Sequence, residues 1–127
     1  MKFFVVLLIF ISLQALQALE YKRYIKTYDG DTVYVDLMCS EPLVCNNIGI
    51  RFLRIDCPEM RNKDLVLKEK AKVAKVFTQE FIKDGFVLSN CKRDAYFRLD
   101  CDVYNTKGVN LNTILLENGM CKESKFK

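Results

Sequence analysis

The sequence predicts a β-rich α+β domain, and three observations carry that prediction. Val33 and Val35 alternate with Tyr34 and Asp36 beside an Asp29-Gly30 turn, one long helical pattern runs over residues 63–83, and six cysteines are spread through an otherwise short chain. A chain of 127 residues with a net charge of +4 has room for one small domain. Its mild positive balance permits a polyanionic ligand without demanding one.

The first eighteen residues stand apart. Lys2 precedes an unbroken apolar run from Phe3 to Ile11, followed by small and polar residues including Ala15 and Ala18. That is the layout of an export signal, and the run is shorter than the roughly 20 apolar residues a spanning helix needs. Residues 1–18 are therefore read as a signal peptide cleaved after Ala18, and residues 19–127 as the mature domain. A retained anchor is the competing reading. Leu16 sits where a smaller residue is more usual before a cleavage site.

The elements run in this order. Residues 21–28 and 32–38 read as a hairpin around the Asp29-Gly30 turn. Residues 48–55 form a third strand, stopped by Pro58, which offers no ladder donor. Leu67, Ala71, Ala74, Phe77, Phe81 and Ile82 give residues 63–83 one apolar helical face, ended by Asp84-Gly85. Strands come next at 86–89 and near 97–104, separated by a polar turn. Asn105-Thr106-Lys107-Gly108 makes another turn, Asn112 or its neighbour Asn110 caps a helix over 111–117, and Asn118-Gly119 closes it.

All six cysteines, Cys39, Cys45, Cys57, Cys91, Cys101 and Cys121, lie beyond the leader, and an even number there fits an oxidised, exported domain. Up to three disulfides are expected, with 15 possible pairings. A zinc site is the competing use, opposed by the absence of any histidine and of a close Cys-x-x-Cys pair.

Two segments concentrate chemistry: Tyr28-Asp29-Gly30-Asp31-Thr32 and Arg51-Phe52-Leu53-Arg54-Ile55-Asp56-Cys57-Pro58-Glu59. Carboxylates can surround a hard cation, one outside that shell can take a proton from water, and an arginine fork can grip a phosphate. Tyr96-Phe97-Arg98-Leu99 supplies a second arginine. Each residue also has a plainer use: Asp31 as a turn aspartate, Glu59 as a solvated loop residue, Arg51 and Arg98 as surface ion-pair partners.

These three segments, in this order and spacing, resemble the staphylococcal nuclease (thermonuclease) family over about residues 22–121. The resemblance implies a five-stranded OB-type barrel with about two helices, stapled by disulfides. It implies Ca²⁺ bound by Asp31, Asp56 and the backbone carbonyl of Cys57, with Glu59 activating or orienting water and Arg51 and Arg98 contacting the phosphate. Tyr96 matches a tyrosine near the nucleotide. Asp94 lies close to another family carboxylate but is left outside the site. The layout further implies pairing of Cys39 with Cys45, Cys91 with Cys101, and Cys57 with Cys121.

In functional terms the resemblance implies a secreted or periplasmic, monomeric, Ca²⁺-dependent phosphodiesterase acting on DNA and RNA, free of the membrane once the leader is removed. The alternative is an inactive module of the same fold that binds nucleic acid or protein. Departures exist: Phe97 stands where the family commonly has glycine, Ala95 where lysine is frequent, and the sequence runs only six residues beyond Cys121, leaving no room for the founding enzyme's third, C-terminal helix.

Overall fold

The computed structural model describes residues 18–125. Of the segment read as a leader, all but Ala18 lies outside the described residues. Within them, no helix is long and apolar enough to cross a membrane.

The main sheet grows from the predicted hairpin. β1 (Ala18–Leu19) precedes β2 (Tyr21–Asp29), which turns through Gly30 into β3 (Thr32–Leu37), with Asp29 opposite Thr32. β4 (Ile48–Phe52) pairs antiparallel with β3 and parallel with β7 (Leu99–Asn105), and β6 (Phe86–Arg93) pairs antiparallel with β7. The order is β1-β6-β7-β4-β3-β2.

This sheet has six strands rather than the five expected. Its two edge strands, β1 and β2, are separated only by Glu20, so one stretch of chain lines both edges and the sheet curls. Tyr21 ties that seam: its hydroxyl donates to the Phe86 carbonyl at 2.7 Å, and the two rings stack with centroids 4.4 Å apart. The curled sheet is consistent with the OB-type barrel that the resemblance implies. Val33, Val35, Ile50, Phe52, Leu88 and Val103 fill its inner face, closed by Leu111 and Leu115 of α3 (Leu111–Glu117).

The expected third strand over 48–55 breaks in two. Arg54 takes a φ of 70°, which swings the chain out of the sheet, and the Leu53 amide donates to the Cys101 carbonyl at 2.9 Å. The segment resumes as β5 (Ile55–Asp56), which pairs with β8 (Lys122–Glu123) in a separate two-stranded sheet. The strand expected over 86–89 runs instead to Arg93, because register shifts after Ser89 let Lys92 and Arg93 rejoin β7.

Among the described residues, helices number three rather than about two. The unexpected one, α1 (Pro42–Cys45), is a single turn with Glu41 accepting from the Leu43 amide and proline at its first position. α2 (Leu65–Ile82) starts two residues later than the pattern over 63–83, because Asp64 caps it, accepting from the amides of Val66 and Leu67. α3 is capped by Asn110, which accepts from the Thr113 amide. Asn112 has a different use. It is buried and donates to the Leu53 and Cys101 carbonyls at 3.0 and 3.2 Å while accepting from the Val103 amide.

α2 reaches the first hairpin through small side chains. Ala71, Ala74 and Thr78 are fully buried, and the Thr78 hydroxyl donates to the Gly30 carbonyl at 2.7 Å. Gly30 is required by this closeness. A Cβ there would lie 2.7 Å from the Ala74 Cβ and 3.2 Å from the Cys57 Sγ.

Three disulfides join Cys39 to Cys45, Cys57 to Cys121 and Cys91 to Cys101, and no described cysteine is free. The second spans 64 residues and anchors the chain after Asp56 to the segment after α3. β8 then lies along β5, with Asp56 opposite Lys122, and the Ser124 amide donates to the Arg54 carbonyl. The C-terminal segment thus braces the strand that carries Asp56.

Candidate active site

The β2–β3 turn and β4 bring the predicted residues together by register. Thr32 is opposite Arg51, and Arg51 is level with Asp100 on the parallel neighbour β7. The Arg51 guanidinium therefore emerges where the Asp29–Thr32 turn and β5 converge. It is paired with Asp56, lies 3.5 Å from Asp31 Oδ2, and donates to the Ile55 carbonyl at 3.1 Å. One arginine thus binds both aspartates expected to hold a metal.

Asp31 is almost fully buried and fixed from two sides. Its Oδ2 accepts from the Cys57 amide at 2.9 Å, and its Oδ1 from the Thr32 hydroxyl at 3.0 Å. Burial pushes its carboxyl above the ordinary range, opposed by the Cys57 amide and Arg51. The amide contact places Cys57, expected to offer its carbonyl, directly against Asp31, while its side chain is engaged in the disulfide.

Glu59 and Arg98 sit at the rim. Glu59 lies in the loop after Pro58 with a half-exposed side chain, and accepts from Arg61 Nε at 2.9 Å. Arg98 lies where the β6–β7 connection meets β7. Asp94 grips it twice, accepting from its backbone amide at 3.1 Å and from its Nε at 2.9 Å. The Arg98 guanidinium carbon is 5.2 Å from the centre of the Tyr96 ring, which is largely exposed.

Phe97 sits within a hydrogen-bonded turn. Phe97 takes a φ of 61°, the left-handed conformation that glycine adopts freely and a bulky residue does not. The Asp94 carboxylate, accepting from the amides of Tyr96 and Arg98, holds the turn around it, and Arg93 stacks over the Phe97 ring at 4.8 Å.

Three carboxylates belong to this region that sequence reasoning does not assign to it. Asp94, a turn residue by its sequence context, is the direct partner of Arg98. Asp29, part of the hairpin turn by pattern, is buried, and its Oδ1 has no hydrogen-bond partner. Burial, with Asp31 and Glu59 nearby, pushes its pKa up to about 7 against the pull of Arg51 and Arg61. Asp100 is the third. Its Oδ1 is likewise buried without a partner, and burial plus the Asp94 carboxylate raises its pKa to about 6, opposed by Arg98 and Arg51. Asp94 shifts the other way, because although burial opposes it, hydrogen bonds from Asp100, the Tyr96 and Arg98 amides and the Arg98 side chain hold it down.

A signal for Asp29 exists in the doubled aspartate of Asp29-Gly30-Asp31. None exists for Asp100, whose place beside Arg51 depends on the parallel pairing of strands about 50 residues apart. Among the described residues, no three acidic or cysteine side chains are gathered closely enough to hold a metal by themselves. The expected donor set, with two carboxylates and one main-chain carbonyl, does not require such a trio.

The site is thus a curled β-rich sheet with Arg51 against a buried acidic turn and Arg98 held by Asp94 beside it. A family profile described as staphylococcal nuclease homologue matches residues 49–127, and the chain belongs to that family. The match begins at Gly49, so the Asp29–Asp31 turn lies outside it and is joined to the matched part by the contacts of Arg51, Cys57 and Thr78. Comparison with curated proteins finds no match for this chain.

Proposed function

We propose that this protein is a Ca²⁺-dependent hydrolase of phosphodiester bonds in DNA and RNA, exported through residues 1–18. The observation that carries this reading is the convergence of Arg51, Asp31 and Asp56 beside the unpartnered carboxylate oxygen of Asp29.

The donor set fits a hard cation. Asp31, Asp56 and the Cys57 carbonyl offer oxygen alone, and Asp29 holds a buried, unsatisfied oxygen next to them that is costly unless neutralised. A bound Ca²⁺ supplies Lewis acidity and a template.

The chain's own residues do the rest. Arg51, drawn off Asp56, presents a fork to the non-bridging phosphate oxygens, where charge builds as water adds to phosphorus. Arg98 supplies a second fork, kept extended by Asp94. Glu59, released from Arg61, accepts the proton of the attacking water or orients it. The resemblance implies departure of the 5′ oxygen and 3′-phosphorylated ends.

Nicking of supercoiled plasmid by the disulfide-bonded protein, with Ca²⁺ or chelator and with Glu59→Ala alongside, tests the reading. Calcium-dependent nicking that falls by orders of magnitude in the variant is the expected result. The ion pair between Glu59 and Arg61 favours a second reading, a binding module without turnover. Retention of labelled nucleic acid by a folded protein that cuts nothing would establish it instead.

A further inference from the structure

The outer face of the sheet carries aromatic and cationic groups beyond those assigned to the phosphate. Val33 and Val35 point into the core, so Tyr34 points out, on the same face as Thr32 and Arg51 and one step of about 7 Å along the strands. Opposite Tyr34 stands Gly49. A Cβ there would lie 3.3 Å from the Arg98 Cγ and 3.5 Å from the Tyr34 Cε1, so the stem of Arg98 runs over Gly49 and beside the Tyr34 ring. Arg98 is thus flanked by two tyrosines, Tyr96 on one side and Tyr34 on the other.

The row continues outward from Arg98. Lys26, paired with Tyr34 in the β2–β3 register, holds its ammonium 5.1 Å from that ring's centre. Tyr28 meets the same ring edge-on at 6.4 Å and remains 42% exposed. Along this face the chemistry alternates: ring, guanidinium, ring, ammonium. Aromatic faces stack nucleobases of any identity, and cations between them track the phosphates, which is how single strands are bound without sequence preference. A duplex, whose bases are already stacked, offers such rings nothing.

We propose that Tyr34, flanked by Tyr28 and Lys26, forms a nucleobase-stacking subsite that carries the single strand leading away from the phosphate at Arg98. The inference rests on the phosphodiesterase reading for its orientation and extends it to the substrate beyond the scissile bond. Gly49 is part of the device, since any side chain there would separate Arg98 from the ring. Arg98 then holds the phosphate while Tyr34 holds the next base.

The test uses the oxidised protein and its Tyr34→Ala and Tyr34→Phe variants. Anisotropy of a labelled single-stranded oligonucleotide and of the matching duplex measures binding, and turnover of bis(4-nitrophenyl) phosphate, which carries no nucleobase and no strand beyond the diester, measures the chemistry. Tyr34→Ala is expected to weaken single-strand binding about tenfold, Tyr34→Phe to restore it, and duplex binding and small-diester turnover to stay unchanged. Unchanged single-strand binding in a Tyr34→Ala protein with the parent's melting temperature overturns the proposal. So does an equal loss on the small diester, which would mean that Arg98 had moved. If the parent cleaves neither substrate, the nuclease reading fails, while the anisotropy arm still decides the subsite.

Discussion

Three aspartates beside two arginines divide this molecule into a region where the carboxylate is fully partnered and a region where the carboxylates are not. Asp102 faces Arg54, and its oxygens also accept from Asn90 at 2.9 Å and from Asn112 at 3.4 Å. Asp29 and Asp100 lie around Arg51, and each keeps a buried oxygen without any partner. Composition is the same in both places; satisfaction is not. A satisfied buried carboxylate stabilises a unique packing, whereas an unsatisfied one is retained where a ligand completes it. These two oxygens are the buried side-chain atoms left unpartnered among the described residues, and both lie at the candidate site.

The largest expected effect separates the two arginines. Arg51→Ala should lower the turnover of plasmid by about 10²- to 10³-fold, the scale for losing one preorganised donor to a transition state, and should also cost stability, because Asp31 and Asp56 lose their shared cation. Arg54→Ala should touch stability alone. It removes one of three partners from Asp102, so about 1 kcal/mol of stability should go, with turnover at the parent's level. Kinetics and thermal melts on both variants decide it, and equal loss of turnover in the two would dissolve the distinction.

Next comes the disulfide that joins the two regions. Cys57 contacts Asp31 through its amide and α2 through the Gly30 turn, while Cys121 leads into the strand that pairs with Asp56. The double replacement Cys57→Ala, Cys121→Ala should cost roughly 2–4 kcal/mol in denaturant unfolding, and also raise the Ca²⁺ concentration needed for half-maximal activity. Replacing Cys39 and Cys45, which close a short loop around α1, should leave the calcium requirement unmoved. A calcium requirement that shifts equally in both pairs would show that the 57–121 bond stabilises the fold without organising the site.

A smaller effect concerns pH. Asp100 has its pKa raised to about 6 in the folded protein, so the native state binds a proton more tightly than the unfolded chain does. Its contribution to stability is complete below the unfolded value near 4 and is lost as pH rises through about 6. Asp100→Asn keeps the hydrogen bond to Asp94 without the titration. Stability measured from about pH 4 to 8 should therefore fall less steeply in the variant, by about 1–2 kcal/mol across the range after allowing for solvent screening. The Asp102 region offers the control, since Asp102→Asn removes the charge that faces Arg54 and should lower stability.

How much of this is legible in the sequence differs between the regions. The first hairpin, α2, α3 and all three cysteine pairs are anticipated, the pairs through the family resemblance, because turn chemistry, periodicity and motif spacing are local signals. Arg51, Asp31 and Asp56 are also placed together in advance, since they ride on motifs. What escapes is set by pairing between distant strands or by single dihedrals. The break at Arg54 comes from one positive φ; α1 is too short for periodicity to register; Asp100 joins the site only because β7 lies parallel to β4. Asn112, with Asn110 one of two candidate caps by pattern, is instead a buried knot between α3, β7 and the Leu53 carbonyl, a role that no local pattern could express.

Phe97 gives the finest comparison, because the same backbone state occurs in both regions. Asn90, beside Asp102, has a φ of 55°, and asparagine tolerates that conformation; Phe97, beside Arg98, has a φ of 61°, which costs a bulky ring about 1 kcal/mol or more of strain. Phe97→Gly removes the strain but also loosens the unfolded chain and deletes the ring that Arg93 covers. The sum should be small, a gain of no more than about 1 kcal/mol in chemical denaturation. Activity is the sharper readout. If the strained ring serves only to hold the turn, Asp94 still grips Arg98 in the variant and the KM for a single-stranded oligonucleotide stays within about twofold, well inside one factor of ten in free-energy terms. If KM rises about tenfold while kcat holds, the Phe97 ring is itself a substrate contact, and the aromatic row on this face extends past Tyr96.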